Sequence, residues 1–108
     1  MSYKIELTDN FKKEAKRLIK KYASLANEIS ALGKILQDNP THGTALGNDV
    51  YKIRLAIASK NKGASGRARI ITFVKIINKT VYLISIYNKG DKETITDNEI
   101  DELLKDYL

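Results

Sequence analysis

The segment "VYKIRLAIASKNKGASGRARIITFVKIINKTVYLISIYNKG", residues 50–90, decides the fold. It begins as an alternating strand, with Tyr51, Ile53, Leu55 and Ile57 pointing one way and Lys52 and Arg54 the other. A polar, Gly-containing stretch with more cations interrupts it. Two further strand-like runs follow, at about 68–77 and 80–88, joined by Asn78–Lys79 as a short hairpin connection.

The flanks read as one more strand and three helices. In residues 2–7, Tyr3, Ile5 and Leu7 alternate with Lys4 and Glu6, which predicts a short strand. Thr8 or Asp9 then caps a helix with the apolar stripe Phe11, Ala15, Leu18, Ile19 and Tyr22. Lysines and Arg17 cover the rest of that helix. A second helix begins near Ser24, with Leu25, Ile29, Leu32 and Leu36 in its stripe, and "DNP" at 38–40 ends it because Asn39 precedes a proline. Residues 41–49, "THGTALGND", read as a loop with two glycines. Near the end, "TDNE" at 96–99 is a capping box leading into Ile100, Leu103, Leu104 and Tyr107. The order β-α-α-β-β-β-α predicts a single α+β domain over residues 1–108: a mainly antiparallel four-stranded sheet with its helices packed on one face.

Composition narrows the chemistry. The 108 residues include two Phe, no Trp and no Cys, so Ile, Leu, Val and Tyr supply the core, and disulfides, thiolate metal sites and Cys nucleophiles are excluded. The start "MSYKIEL" lacks the apolar core of a signal peptide, and no apolar run reaches membrane-spanning length, so a cytoplasmic protein with no membrane contact is expected. The net charge of +6 favours a polyanionic partner.

The distribution of charge is more specific than its total. Residues 50–90 hold nine basic residues (Lys52, Arg54, Lys60, Lys62, Arg67, Arg69, Lys75, Lys79 and Lys89) and no acid, whereas residues 91–108 hold seven acids. A merely solvated sheet face mixes signs, because like charges on neighbouring strands repel. Strand parity allows Lys52, Arg54, Arg69, Tyr87 and Lys89 to share one surface. Arg and Lys bind phosphate, and an exposed Tyr stacks on a base, so such a surface suits RNA; a solubilising face is the plain alternative. His42, the one histidine, sits in a loop beside Gly43, and a lone loop histidine is more often incidental than catalytic. A cation crowded by cations has a lowered pKa, which lets a Lys serve as acid or base, while guanidinium groups stabilise a phosphorane. No metal-ligand pattern, Ser-His-Asp set or P-loop spacing is present, and no cofactor is expected.

"VYKIRLA" (50–56), "SGRARIITF" (65–73) and "VYLISIYNKGDKE" (81–93) together resemble the RelE/ParE superfamily of type II toxins, most closely its RelE/HigB-like branch. The resemblance implies an endoribonuclease that cuts mRNA in the ribosomal A site by metal-independent attack of the 2′-hydroxyl. It implies two partners: a small cognate antitoxin, and the 70S ribosome with its mRNA and rRNA. Carried over by position, Lys52 and Arg54 fall on the basic pair of the catalytic strand and Arg69 on the arginine at the scissile phosphate. Lys89 falls on a proposed proton donor, and Tyr87 is placed to stack on a base. Lys60, Lys62, Arg67 and Lys75 are the implied RNA and ribosome contacts. Two departures stand out. Position 54, often lysine, is arginine here, which leaves the general base open with Lys52 favoured. The chain also has "KETIT" where the family pattern has an aromatic residue beyond the last strand. Two alternatives share the fold: a ParE-like DNA gyrase inhibitor without nuclease activity, and a degenerate member that binds only antitoxin or RNA.

Overall fold

A computed structural model describes residues 2–58, 67–88, 90 and 95–108 of the chain. In chain order the elements are β1 (Lys4–Leu7), α1 (Asp9–Lys21), α2 (Leu25–Asp38), β2 (Thr44–Gly47), β3 (Val50–Ala56), β4 (Arg67–Lys75), β5 (Thr80–Asn88) and α3 (Asp97–Leu104). A 3-10 turn, Ile76–Asn78, connects β4 to β5. The five strands form one sheet in the order β1-β5-β4-β3-β2. β1 runs parallel to β5, and every other pairing is antiparallel.

The expected α+β class holds, as does the order of every expected element, and the caps explain the helix starts. Thr8 caps α1, with its Oγ1 accepting the Phe11 N–H at 3.2 Å. Thr96 and Glu99 close both bonds of the capping box at the start of α3. In α2, Gly33 packs against nothing: a Cβ built there meets no atom within 4 Å. Gly33→Ala is therefore expected to stabilise the protein by about 0.5–1 kcal/mol through helix propensity and lost unfolded-state freedom. A denaturant melt checks this, and an unchanged or lowered midpoint would count against it.

Two details depart from the expectation. Part of the 41–49 segment is a fifth strand, β2, which pairs with β3 as a hairpin through Asn48 and Asp49. Both turn residues adopt positive φ (54° and 65°), the condition of a tight primed turn, which Asn and Asp tolerate better than most residues. All four β2 residues are exposed, so no apolar alternation marks the strand in sequence.

The helices also divide between the two faces of the sheet instead of sharing one. Phe11 and Ala15 of α1 and Leu25, Leu32 and Leu36 of α2 pack on Ile53, Ile70, Val81, Leu83 and Ile86. On the opposite face, Ile100 and Leu104 of α3 join Ile71, Phe73, Ile84 and Tyr87 in a second core. Tyr82 extends it, stacked near Phe73 and 5.1 Å from the ring of Tyr107. Burial on both faces explains why β4 and β5 read as nearly continuous apolar runs.

A candidate anion-binding site on the sheet

Register brings the predicted cations together. In β3 the inward set is Tyr51, Ile53 and Leu55, which pack on the α1–α2 core. Lys52 and Arg54 therefore lie on the α3 face. Arg54 pairs directly with Arg69 of β4, and Arg69 pairs directly with Tyr87 of β5. The three form one row across three strands. Lys52 stands two residues from Arg54 on the same face, half-buried, opposite Ile71.

The row is electrostatically unfavourable as it stands. Like charges directly opposite each other on neighbouring strands repel, and among the described residues no carboxylate is paired with either arginine. Arg54 is exposed and keeps its hydration. Arg69 does not: it is 6% exposed, and its buried Nη1 has no hydrogen-bond partner among the described residues. A buried donor left unsatisfied costs about 1–3 kcal/mol, more when it is charged. A phosphate oxygen would supply the missing acceptor, and two neighbouring guanidinium groups suit its charge and geometry. The strain resides where an anion would relieve it.

Tyr87 differs from expectation. It is only 6% exposed and belongs to the second core with Ile95, Ile100 and Leu104. The ring is not free to stack on a base, because the third helix covers the face on which it lies. Its place is beside Arg69, as a wall of the site.

The remaining predicted residues separate. Arg67 is exposed at the start of β4, opposite Ala56 and two residues from Arg69. Lys75 sits at the far end of the same strand, opposite Thr80, roughly 20 Å from Arg69 at the usual rise per residue. There its Nζ donates to the Tyr107 carbonyl at 3.0 Å, tying β4 to the segment that follows α3. Lys60, Lys62 and Lys89 lie outside the described residues.

Sequence reasoning set His42 aside, yet the fold draws it to β3. Gly43 has φ +109°, and a Cβ there would lie 2.6 Å from the Lys52 carbonyl oxygen and 2.8 Å from Ile53 Cγ1. Glycine thus lets the loop press against the strand. His42 consequently lines, with Arg54, Glu28 and Leu32, a cavity of about 290 Å³ along the edge of β3. The sequence signal for this was Gly43, whose need shows only once the loop meets β3.

Comparisons with known proteins agree with this architecture. A family model described as the RelE toxin of the RelE/RelB toxin–antitoxin system matches residues 3–106. Among solved structures, the E. coli toxin RelE, a double arginine-to-alanine mutant in the free state, matches with a TM-score of 0.67 at 20% identity, covering 100% of both chains. That likeness concerns the fold. No curated protein matches by sequence.

Proposed function

We propose, from the premise that this chain belongs to the RelE toxin family, that it is a ribosome-dependent mRNA endoribonuclease silenced by a small cognate antitoxin. The observation that carries the proposal is the Arg54–Arg69–Tyr87 row, in which the buried Arg69 Nη1 has no partner among the described residues. No helix among the described residues is long and apolar enough to cross a membrane.

The chemistry is an in-line attack of a 2′-hydroxyl on the neighbouring phosphate, giving a cyclic phosphate and a free 5′-hydroxyl. Negative charge grows on the non-bridging oxygens as the phosphorus becomes five-coordinate. Arg54, on the open side, meets the phosphate first. Arg69 donates from a nearly dry position to the developing charge, where a preorganised donor stabilises the transition state most. Its Nη1 is buried in the folded chain, so RNA binding there requires a local opening of this face. Lys52 is the favoured base, as the lysine of the Lys52–Arg54 pair, because guanidinium groups do not serve as proton acceptors in proteins. Lys89 is the candidate donor to the leaving oxygen. Arg67, Lys60 and Lys62 contact rRNA, whereas Lys75 has a structural bond to Tyr107 and is remote from the row.

Induced expression in a bacterial host, with mapping of mRNA 5′ ends, tests this. Cuts phased with codons in translated messages are expected. Growth arrest with intact mRNA and a DNA-damage response would sink the proposal in favour of gyrase inhibition.

A further inference from the structure

A β-bulge in β5 decides which face Tyr87 occupies, and we propose that Glu14 of α1 locks that bulge, making Glu14 a positioning residue for the Arg54–Arg69–Tyr87 row. Its catalytic consequence rests on the proposed reading of the row as the cleavage site.

The bulge is visible in the register. Thr72 of β4 pairs with Leu83, but the adjacent Ile71 pairs with Ser85, so Ile84 is an extra residue in β5. The extra residue changes parity. Leu83 and Ile86, three positions apart, both pack in the α1–α2 core, while Ile84 and Tyr87 both pack in the α3 core. An unbulged strand counts by twos and would put Tyr87 on the face of Val81 and Leu83, away from Arg54 and Arg69. The inserted residue therefore delivers Tyr87 to the cationic row.

A bulge leaves strand backbone groups in need of partners. β1, the neighbour on that edge, ends at Leu7 opposite Leu83, where the bulge begins. From that point α1 takes over the edge. The Thr8 N–H donates to the Leu83 carbonyl at 3.2 Å, and Asn10 Nδ2 donates to the Ile84 carbonyl at 2.9 Å. Glu14 Oε1 then accepts from Ser85 Oγ at 2.8 Å and from the Ile86 N–H at 3.2 Å. The same oxygen accepts from Asn10 Nδ2 at 3.0 Å. Asn10 and Glu14 are four residues apart on one helix, hence neighbours on one face. A rigid element thus grips the bulge on both sides, at the carbonyl of Ile84 and the amide of Ile86. Tyr87 follows immediately.

Glu14→Ala, Glu14→Gln and the β1 variant Ile5→Ala test the proposal. The measurements are amide exchange at Ile86, the Tyr87 ring resonances, and the single-turnover rate of mRNA cleavage on programmed ribosomes. Glu14→Ala removes the acceptor and is expected to speed Ile86 exchange about tenfold or more. It should also shift the Tyr87 ring signals and slow cleavage by about 10–100-fold. Glu14→Gln keeps an acceptor oxygen and should restore all three readouts. Ile5→Ala lowers the melting temperature without touching the bulge, and should leave Ile86 exchange and the cleavage rate near wild type. Full cleavage with a protected Ile86 in Glu14→Ala would overturn the proposal, as would Glu14→Gln behaving like Glu14→Ala. If Glu14→Ala fails to fold, Glu14→Asp, which withdraws the acceptor by one methylene, takes its place in the contrast. If the wild-type chain cleaves nothing, the endoribonuclease reading falls, while Ile86 exchange and the Tyr87 signals still decide whether Glu14 sets the bulge.

Discussion

Replacing Arg69 by methionine is expected to abolish mRNA cleavage while leaving the fold as stable as wild type or more stable. The loss of rate should be about 10²–10³-fold or greater, the usual result of deleting a preorganised donor to a developing anion. The stability change has the opposite sign because Arg69 is 6% exposed, faces Arg54 across the strand pair, and holds a buried Nη1 with no acceptor among the described residues. Methionine fills similar space with a flexible apolar chain and removes both the repulsion and the unsatisfied donor. Apolar replacement of buried charge is often neutral or stabilising, by about 1–4 kcal/mol. Single-turnover cleavage and calorimetric melting check the two halves separately. A variant that cleaves within a few-fold of wild type removes Arg69 from the site. A variant that melts far below wild type would show that the guanidinium is satisfied in the folded chain after all.

Phe11→Ala is expected to cost about 3–5 kcal/mol, the range for truncating a fully buried aromatic side chain. Phe11 has no exposed surface and sits where α1, α2 and the sheet meet, packed with Ala15, Leu25, Leu83 and Ile86 in one core. Domains of this size have roughly 5–15 kcal/mol in total, so the substitution removes a large share. The melting temperature should fall by roughly 10–20 °C. A loss under about 1 kcal/mol would mean that the α1–α2 face is far less consolidated than its burial indicates. The two variants separate two kinds of buried residue: Phe11 consolidates the α1–α2 core, whereas Arg69 places on the α3 face a charge that the fold would do better without.

Much of this was legible from local patterns. The long strands showed themselves by alternation and β-branched content, the helices by their stripes, and the starts of α1 and α3 by Thr8 and the Thr96–Glu99 box. The cation-only span of residues 50–90 marked the face that holds Arg54 and Arg69. What escaped were features without a local period. β2 is four exposed residues with no alternation to betray it. The third helix has an apolar stripe that fits either side of a sheet, so its pattern could not say which side it covers. Tyr87 looked exposed for that reason and proved buried beneath it.

By itself the sequence determined the order of every element but β2, the α+β class, and the presence of one acid-free strand cluster able to meet a polyanion. Each of these follows from spacing between near neighbours, which backbone geometry turns directly into faces and ends. The tertiary structure alone decided that Arg54, Arg69 and Tyr87 form one row, that Arg69 Nη1 is buried with no acceptor among the described residues, and that α3 packs on the same face of the sheet. The row depends on register: Arg54 meets Arg69 through an unshifted β3–β4 pairing, and Tyr87 joins them because β5 carries one extra residue, Ile84, contacted by a helix more than seventy positions away. A strand's own sequence does not reveal where its neighbour gains a residue, and with period-2 geometry one residue is enough to move a side chain from one face to the other.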